Sequence, residues 1–245
     1  MISNPVLETQ RNHVSVRSFT DKDVSVEMLN DILSSARRSP TSSNMQAYSI
    51  VVVRDPLKKA KLAELAGGQQ HIEQCPVFLT FCADLHRLEQ ACEMHDVEMN
   101  NNLESFLMAS IDASLVGMSV QTGAESCGLG AVMVGGMRNH PDKVAELLGL
   151  PKGVYVVYGM SMGWTDQRPP QKPRLPEQLV IHHETYHLDH PHELIQAHDR
   201  ELGSHYERLG MNQHPAAWSG PVSKSLSRSS RSSLRETLDR MGFHV

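Results

Sequence analysis

The sequence predicts a mixed α/β core over residues 1–163, followed by an extended C-terminal arm over 164–245 packed on the core and on a partner subunit as part of one domain. Three observations carry this prediction. Short β-branched runs alternate with segments of helical period through residue 163. The stretch from Leu103 to Cys127 is apolar at helical spacing and far too long for a strand. After Gly163 the chain turns polar and proline-rich, with little apolar content to close a core of its own.

Taken in order, Ser25 is a helix N-cap ahead of Val26, Leu29, Ile32, Leu33 and Ala36, and Ser39-Pro40 follows the helix end. Tyr48–Val53 is a continuous β-branched run, expected as a buried strand. Asp55-Pro56 opens a helix that Gly67-Gly68 closes. Residues 76–82 (PVFLTFC) predict a second buried strand. In the long helix, Leu103, Phe106, Leu107, Ile111, Leu115 and Met118 mark the apolar face, while Ala109, Ala113, Gly117 and Ala124 admit a close neighbour. Gly128 stops it, and 131–134 is a short strand running into Gly135-Gly136. His140-Pro141 opens a helix ending at Gly149, and Val154–Gly163 is a third strong strand. A helix is expected from about Pro191 to Leu209, then a basic, low-complexity, mobile tail over 223–235. No internal repeat is present.

Composition narrows the function classes. A net charge of −5 with 5% aromatic residues removes the basic surface and stacking platform of a nucleic-acid binder. Cys75, Cys82, Cys92 and Cys127 form no CxxC pair, which fits a reducing compartment. With no N-terminal apolar segment, and no apolar run expected to reach membrane-span length, the expected location is the cytoplasm.

Six motifs bear on chemistry. His13, Ser15 and Arg17 alternate with two valines, so imidazole, hydroxyl and guanidinium share one side, as a phosphate cradle needs or as a solvated strand edge allows. Lys172-Pro-Arg174 holds two cations on a stiff backbone. Residues 128–136 are neither a Rossmann fingerprint nor a P-loop, because Met133, Gly136 and Met137 stand where those motifs need other residues. Gly135-Gly136 offers bare backbone for close approach by a planar ligand, or is only a tight turn. Thr41, Ser42, Ser43, Asn44 and Gln46 supply polar groups on a junction loop, and Gln69 does the same after its glycine pair.

His183-Glu-Thr-Tyr-His187 is a literal HExxH, the zincin pattern, with Glu201 or Glu207 available as third ligand. The strand-like Val180-Ile181 before it and Pro191 after it argue against the helix a zincin requires, so no metal is expected. A zinc hydrolase using His183, Glu184 and His187 stays as the alternative. Finally, Arg208, Lys224, Arg228 and Arg231 are cations suited to a nucleotide phosphate, or simply a solvated tail.

The order of these stretches resembles the oxygen-insensitive NAD(P)H nitroreductase and flavin reductase family. The stretches are HVSVRSFTD, the Ser/Thr loop ending in Gln46, LAGGQ, PVFLTFCAD, ESCGLGAVMVGGMRN, LLGLP and KPRLP. The resemblance implies an α+β nitroreductase-like fold, a central mixed sheet flanked by helices, and a homodimer with FMN sites at its interface. His13, Ser15, Arg17, Lys172 and Arg174 would then hold the FMN phosphate and ribityl end. Thr41, Ser42, Ser43 and Gln46 would come from the junction loop, and Gln69 would face the pyrimidine edge. Met133, Val134, Gly135 and Gly136 would lie beside the ring, and Arg208 and Arg231 would hold NADPH or NADH. No catalytic acid, base or nucleophile is implied, because flavin N5 carries the hydride in a ping-pong reaction. Nitroaromatics, quinones, azo compounds or free flavin would be the acceptors. A non-catalytic flavin or nucleotide sensor on the same scaffold is a further alternative. The sequence departs from the family pattern at Val14, Asn44, Met133 and residues 212–233.

Overall fold

A computed structural model describes residues 2–211, 215–228 and 230–245. The chain forms two compact units, one of residues 1–169 with 231–245 and the other of residues 170–230. The division differs from a single break at residue 163, because the last fifteen residues belong with the first unit.

The first unit contains α1 (Pro5–Arg11), α2 (Val26–Ala36), β1 (Tyr48–Val53), α3 (Pro56–Leu65), α4 (Gln70–Gln74), β2 (Val77–Asp84) and α5 (His86–Glu93). It continues with α6 (Leu103–Ser126), β3 (Gly130–Val134), α7 (Pro141–Leu148) and β4 (Val154–Gly163). Local chemistry sets the starts. Ser25 Oγ accepts from the Met28 amide, and Asp55 accepts from the Lys58 amide ahead of Pro56. Asn102 and Ser105 form a reciprocal capping box at the start of α6.

The sheet order is β1-β2-β4-β3, and all three ladders are antiparallel. Its mixed character reduces to one parallel bridge, Ser15 with Ala131, beside β3. Strand β2 is buried along its whole length, as a central strand should be. Strand β1 is not the buried strand its composition suggests. It is an edge, mostly half-buried with Val52 40% exposed, because β-branched runs report pleat preference rather than position in the sheet.

Helix α6 lies on this sheet with its small residues inward. Ala109, Ala113, Val116, Gly117, Val120 and Ala124 are buried, and Phe81 and Tyr158 stack beneath them at 5.0 Å. A Cβ at Gly117 would sit 1.7 Å from Tyr158 Oη, so only glycine lets the helix approach this closely. The large residues of the apolar face point outward: Leu103, Leu107, Ile111, Leu115 and Met118 are exposed. This helix also corrects the expectation that no apolar run reaches membrane-span length, since α6 is long and apolar enough. Its inward face nevertheless buries Asp112 and Gln121 in a packed protein core.

Residues 231–245 return to the first unit through α10 (Leu234–Arg240). Leu238, Met241 and Phe243 pack with Leu85, Ala109 and Tyr155. The second unit carries α8 (Pro191–Arg208) and α9 (Ser219–Leu226). Asp199 of α8 caps α9 by accepting from the amides of Trp218 and Ser219 and from the Ser219 hydroxyl, at 2.6–2.9 Å. Burial opposes ionisation of that carboxyl, but the three donors outweigh it and hold Asp199 below its ordinary range. The tail expected over 223–235 is helical at both ends, because Ser219–Leu226 and Leu234–Arg240 are amphipathic enough to pack. Residues 212–214 and Ser229, parts of the altered 212–233 stretch, lie outside the described residues.

Candidate functional site

The candidate site is built first at the edge of β3. The Val16 amide donates to Ala131 O at 3.0 Å, which fixes the 13–17 segment alongside the strand. Val16 occupies the space where a Cβ of Gly130 would fall, 2.7 Å away. The expected alternation holds on one side only: Val16 is buried and Arg17 exposed, whereas His13, Val14 and Ser15 are all half-buried. His13 is engaged at Nδ1 by Glu125 at 2.6 Å and by Gln121 at 2.8 Å, both on α6. Arg17 has no hydrogen bond or ion pair among the described residues, so its charge is available to a ligand.

The glycine turn lies at the other end of β3. Gly135 and Gly136 begin a short 3-10 turn over 135–138, directly after the buried Val134 and the exposed Met133. A Cβ on Gly136 would lie 2.6 Å from both Ala66 O and Gln69 Nε2. The two glycine-bearing segments expected to serve one ligand, 65–69 and 135–136, therefore pack directly together. Gln69 donates from Nε2 to Ala66 O, and its Oε1 meets His71 Nε2, both at 3.0 Å. His71 Nδ1 in turn meets the Ser161 hydroxyl of β4 at 3.0 Å. Burial, and then the Arg17 guanidinium, push the His71 imidazole below its ordinary range.

Arg231 joins the same turn. Its guanidinium donates to Gly135 O at 3.2 Å and to Asn139 Oδ1 at 3.1–3.2 Å. Arg138, absent from the sequence reading, donates to Val157 O and lies 3.3 Å from the Cβ position of Gly135.

The junction loop is the most strained backbone of the first unit. Ser43, Asn44 and Gln46 all have positive φ, between 46° and 58°, a region non-glycine residues rarely adopt. The anchor is Asp112 of α6, whose two carboxylate oxygens accept from the Ser42 and Ala47 amides at 3.0 and 3.1 Å. Arg87 adds a bond to Gln46 O at 3.1 Å. The sequence reading missed Asp112 and His71. The first had a visible signal, a carboxylate within an apolar helical pattern; the second had none among fourteen histidines.

In the second unit, Lys172 and Arg174 line a groove of about 790 Å³ with Tyr206, His198 and Trp218. Lys172 Nζ lies 5.5 Å from the Tyr206 ring centre, and Arg174 donates to Lys172 O at 3.2 Å. Arg208 closes the last turn of α8. The HExxH segment is not helical, and Glu184 has φ of 63°. Its two histidines therefore lack the shared helical face that the zincin pattern depends on, and no metal-ligating cluster occurs among the described residues.

The chain is similar to known proteins along nearly its whole length. Residues 11–164 match the Nitroreductase family, and residues 172–245 match its C-terminal domain. An FMN reductase [NAD(P)H] from Bacillus subtilis is 38% identical over 99% of both chains. An oxygen-insensitive NADPH nitroreductase from Salmonella typhimurium is 36% identical over 98% of each. Among solved structures, Bacillus megaterium NfrA2 superposes with a TM-score of 0.95 at 38% identity over 99% of both chains. The NADPH:FMN oxidoreductase from Vibrio harveyi, complexed with NAD+, gives 0.89 at 33% identity, covering 98% of this chain and 99% of that one. Fold and site together define a flavin-type oxidoreductase scaffold of the α+β class. The chain belongs to the nitroreductase family.

Proposed function

We propose that this chain is an NAD(P)H-dependent oxidoreductase that binds FMN and works by a ping-pong cycle as a cytoplasmic homodimer. The observation that carries the reading is the packing of Gly136 against Gln69 and Ala66. An FMN site needs bare backbone beside a planar ring, amide groups for the ring edge, and cations for a phosphate. The residues present fit each demand. Gly135 and Gly136 give the backbone, Gln69 the amide, and Arg17 with Ser15 a cation and hydroxyl; Lys172 and Arg174 are assigned to the phosphate by the family resemblance alone.

When bound, FMN accepts a hydride from NAD(P)H and passes electrons to an acceptor such as a nitroaromatic, quinone, azo compound or free flavin. The protein supplies orientation and electrostatic support. The strained loop at Thr41, Ser42, Ser43 and Gln46 is held in shape by Asp112, which suits a loop that must present polar edges in one geometry. Arg208 and Arg231 are assigned to NAD(P)H. Arg231 is already tied to Gly135, so cosubstrate binding and the glycine turn share a residue.

The homodimer rests on the outer face of α6. Leu103, Leu107, Ile111, Leu115 and Met118 form an apolar stripe that stays exposed among the described residues. Four free cysteines fit a reducing compartment. The test is FMN retention. Wild-type protein should purify yellow, and Arg17→Ala with Arg174→Ala should release the flavin while the far-ultraviolet circular dichroism is unchanged. A double variant that keeps FMN at wild-type affinity contradicts the assignment.

A further inference from the structure

We propose that His71 is a positioning residue that fixes the polarity of the Gln69 side chain, so that Gln69 meets its ligand as a hydrogen-bond donor. The proposal rests on the FMN reading above and assigns a role to a side chain outside that binding set. Ala66 presents a backbone carbonyl 3.0 Å from one end of the Gln69 amide, and a carbonyl can only accept. The amide nitrogen therefore lies on the Ala66 and Gly136 side. Oε1 lies on the other side, 3.0 Å from His71 Nε2. Because Oε1 accepts, His71 carries its hydrogen on Nε2. Nδ1 is then bare and accepts from the Ser161 hydroxyl at 3.0 Å.

Each link closes the next. Turning the Gln69 amide over would set Oε1 against Ala66 O, two acceptors in contact, and would also require the other tautomer at His71. Ser161 is fully buried in β4, paired with Phe78 on one side and Val132 on the other, so the far end of the chain cannot drift. His71 itself is only 8% exposed. Burial and the Arg17 charge both disfavour the protonated ring, and the neutral ring has one N–H to give.

The consequence falls on Gln69. Its nitrogen has two hydrogens, and Ala66 O takes one. The other has no acceptor among the described residues, and Nε2 lies against Gly136, where a Cβ would fall 2.6 Å away. The ligand atom recognised there is an acceptor, such as a carbonyl oxygen or a ring nitrogen that gains negative charge on reduction. A donor held in that place favours the reduced, more negative form of a flavin. His71 thus acts on the cofactor through Gln69 and without touching it.

The experiment compares wild type, His71→Leu and His71→Gln as purified protein loaded with FMN. His71→Leu should weaken FMN binding about tenfold by fluorescence titration, the effect of about 1.4 kcal/mol, and lower the flavin reduction potential. His71→Gln, which returns an N–H toward Gln69 Oε1, should restore both. Wild-type affinity and potential in His71→Leu overturn the proposal. Should His71→Leu fail to fold, ¹⁵N NMR of histidine-labelled wild type reads the tautomer directly, with the His71 signal assigned by its loss in His71→Gln. A pure Nε2–H tautomer supports the proposal, and an Nδ1–H tautomer or a mixture refutes it. Wild-type protein that takes up no FMN refutes the functional reading instead, and the tautomer measurement still decides this one.

Discussion

Replacing Ile111 with glutamate on the outer face of α6 should dissociate the proposed homodimer without unfolding the protomer. Ile111 is 57% exposed in the single chain, at the centre of the stripe from Leu103 to Met118. Full burial of such a side chain is worth about 1.5–3 kcal/mol, so covering its exposed part contributes roughly 1–2 kcal/mol. A two-fold interface uses the residue twice, giving roughly 2–4 kcal/mol and a dissociation constant raised on the order of 30-fold to several hundred-fold. The buried carboxylate adds a desolvation penalty to this lower bound. Analytical ultracentrifugation over a concentration series measures the shift, and circular dichroism checks that the fold is retained. FMN should be lost with the dimer, because the sites are assigned to its interface. An Ile111→Glu protein with wild-type dissociation would refute the use of this stripe.

Two further outcomes follow from the geometry. Gly136→Ala places a methyl 2.6 Å from Ala66 O and Gln69 Nε2; backbone cannot yield cheaply, so about 1–3 kcal/mol, or roughly 5- to 150-fold, should be lost from FMN affinity by fluorescence titration. Unchanged affinity would remove this turn from the site. Asp199 is held below its ordinary value of 3.8 in the folded chain, so its stabilising effect is complete above that value and is lost as pH falls through the folded-state value. The protection factors of the Trp218 and Ser219 amides, measured against the intrinsic exchange rate at each pH, should therefore fall in acid, and Asp199→Ala should remove that pH dependence; a variant whose amides keep it would show that another group is responsible.

Much of this fold is legible from residues one at a time, because capping and backbone strain are local. Ser25, Asp55-Pro56 and Gly149 mark helix ends where the structure has them. What is not local is less legible. The alternating hydrophobicity of α6 shows two unlike faces, yet only the sheet decides which is inside. Small residues won because Phe81 and Tyr158 need the room. Strand β1 reads as buried from its β-branched run and is a mostly half-buried edge, since strand order depends on long-range pairing.

The candidate site divides in the same way. Glycine pairs and clustered cations stand out in sequence because their chemistry is unusual, and the structure brings 65–69 against 135–136. Arg231 was assigned to a nucleotide, and its contact with Gly135 could not be foreseen from a serine-rich stretch ninety-odd positions away. Asp112 and His71 act on other residues through hydrogen bonds that only the assembled fold creates.

The most direct test of the account is an anaerobic titration of the purified protein with NADPH, followed in the visible spectrum. The account predicts a yellow protein whose flavin absorbance is bleached by about one NADPH per bound FMN, one hydride carrying two electrons. Adding a nitroaromatic acceptor should then restore the oxidised spectrum after the nicotinamide has left. A colourless protein that takes up no FMN, or a bound flavin that NADPH does not reduce, would contradict it.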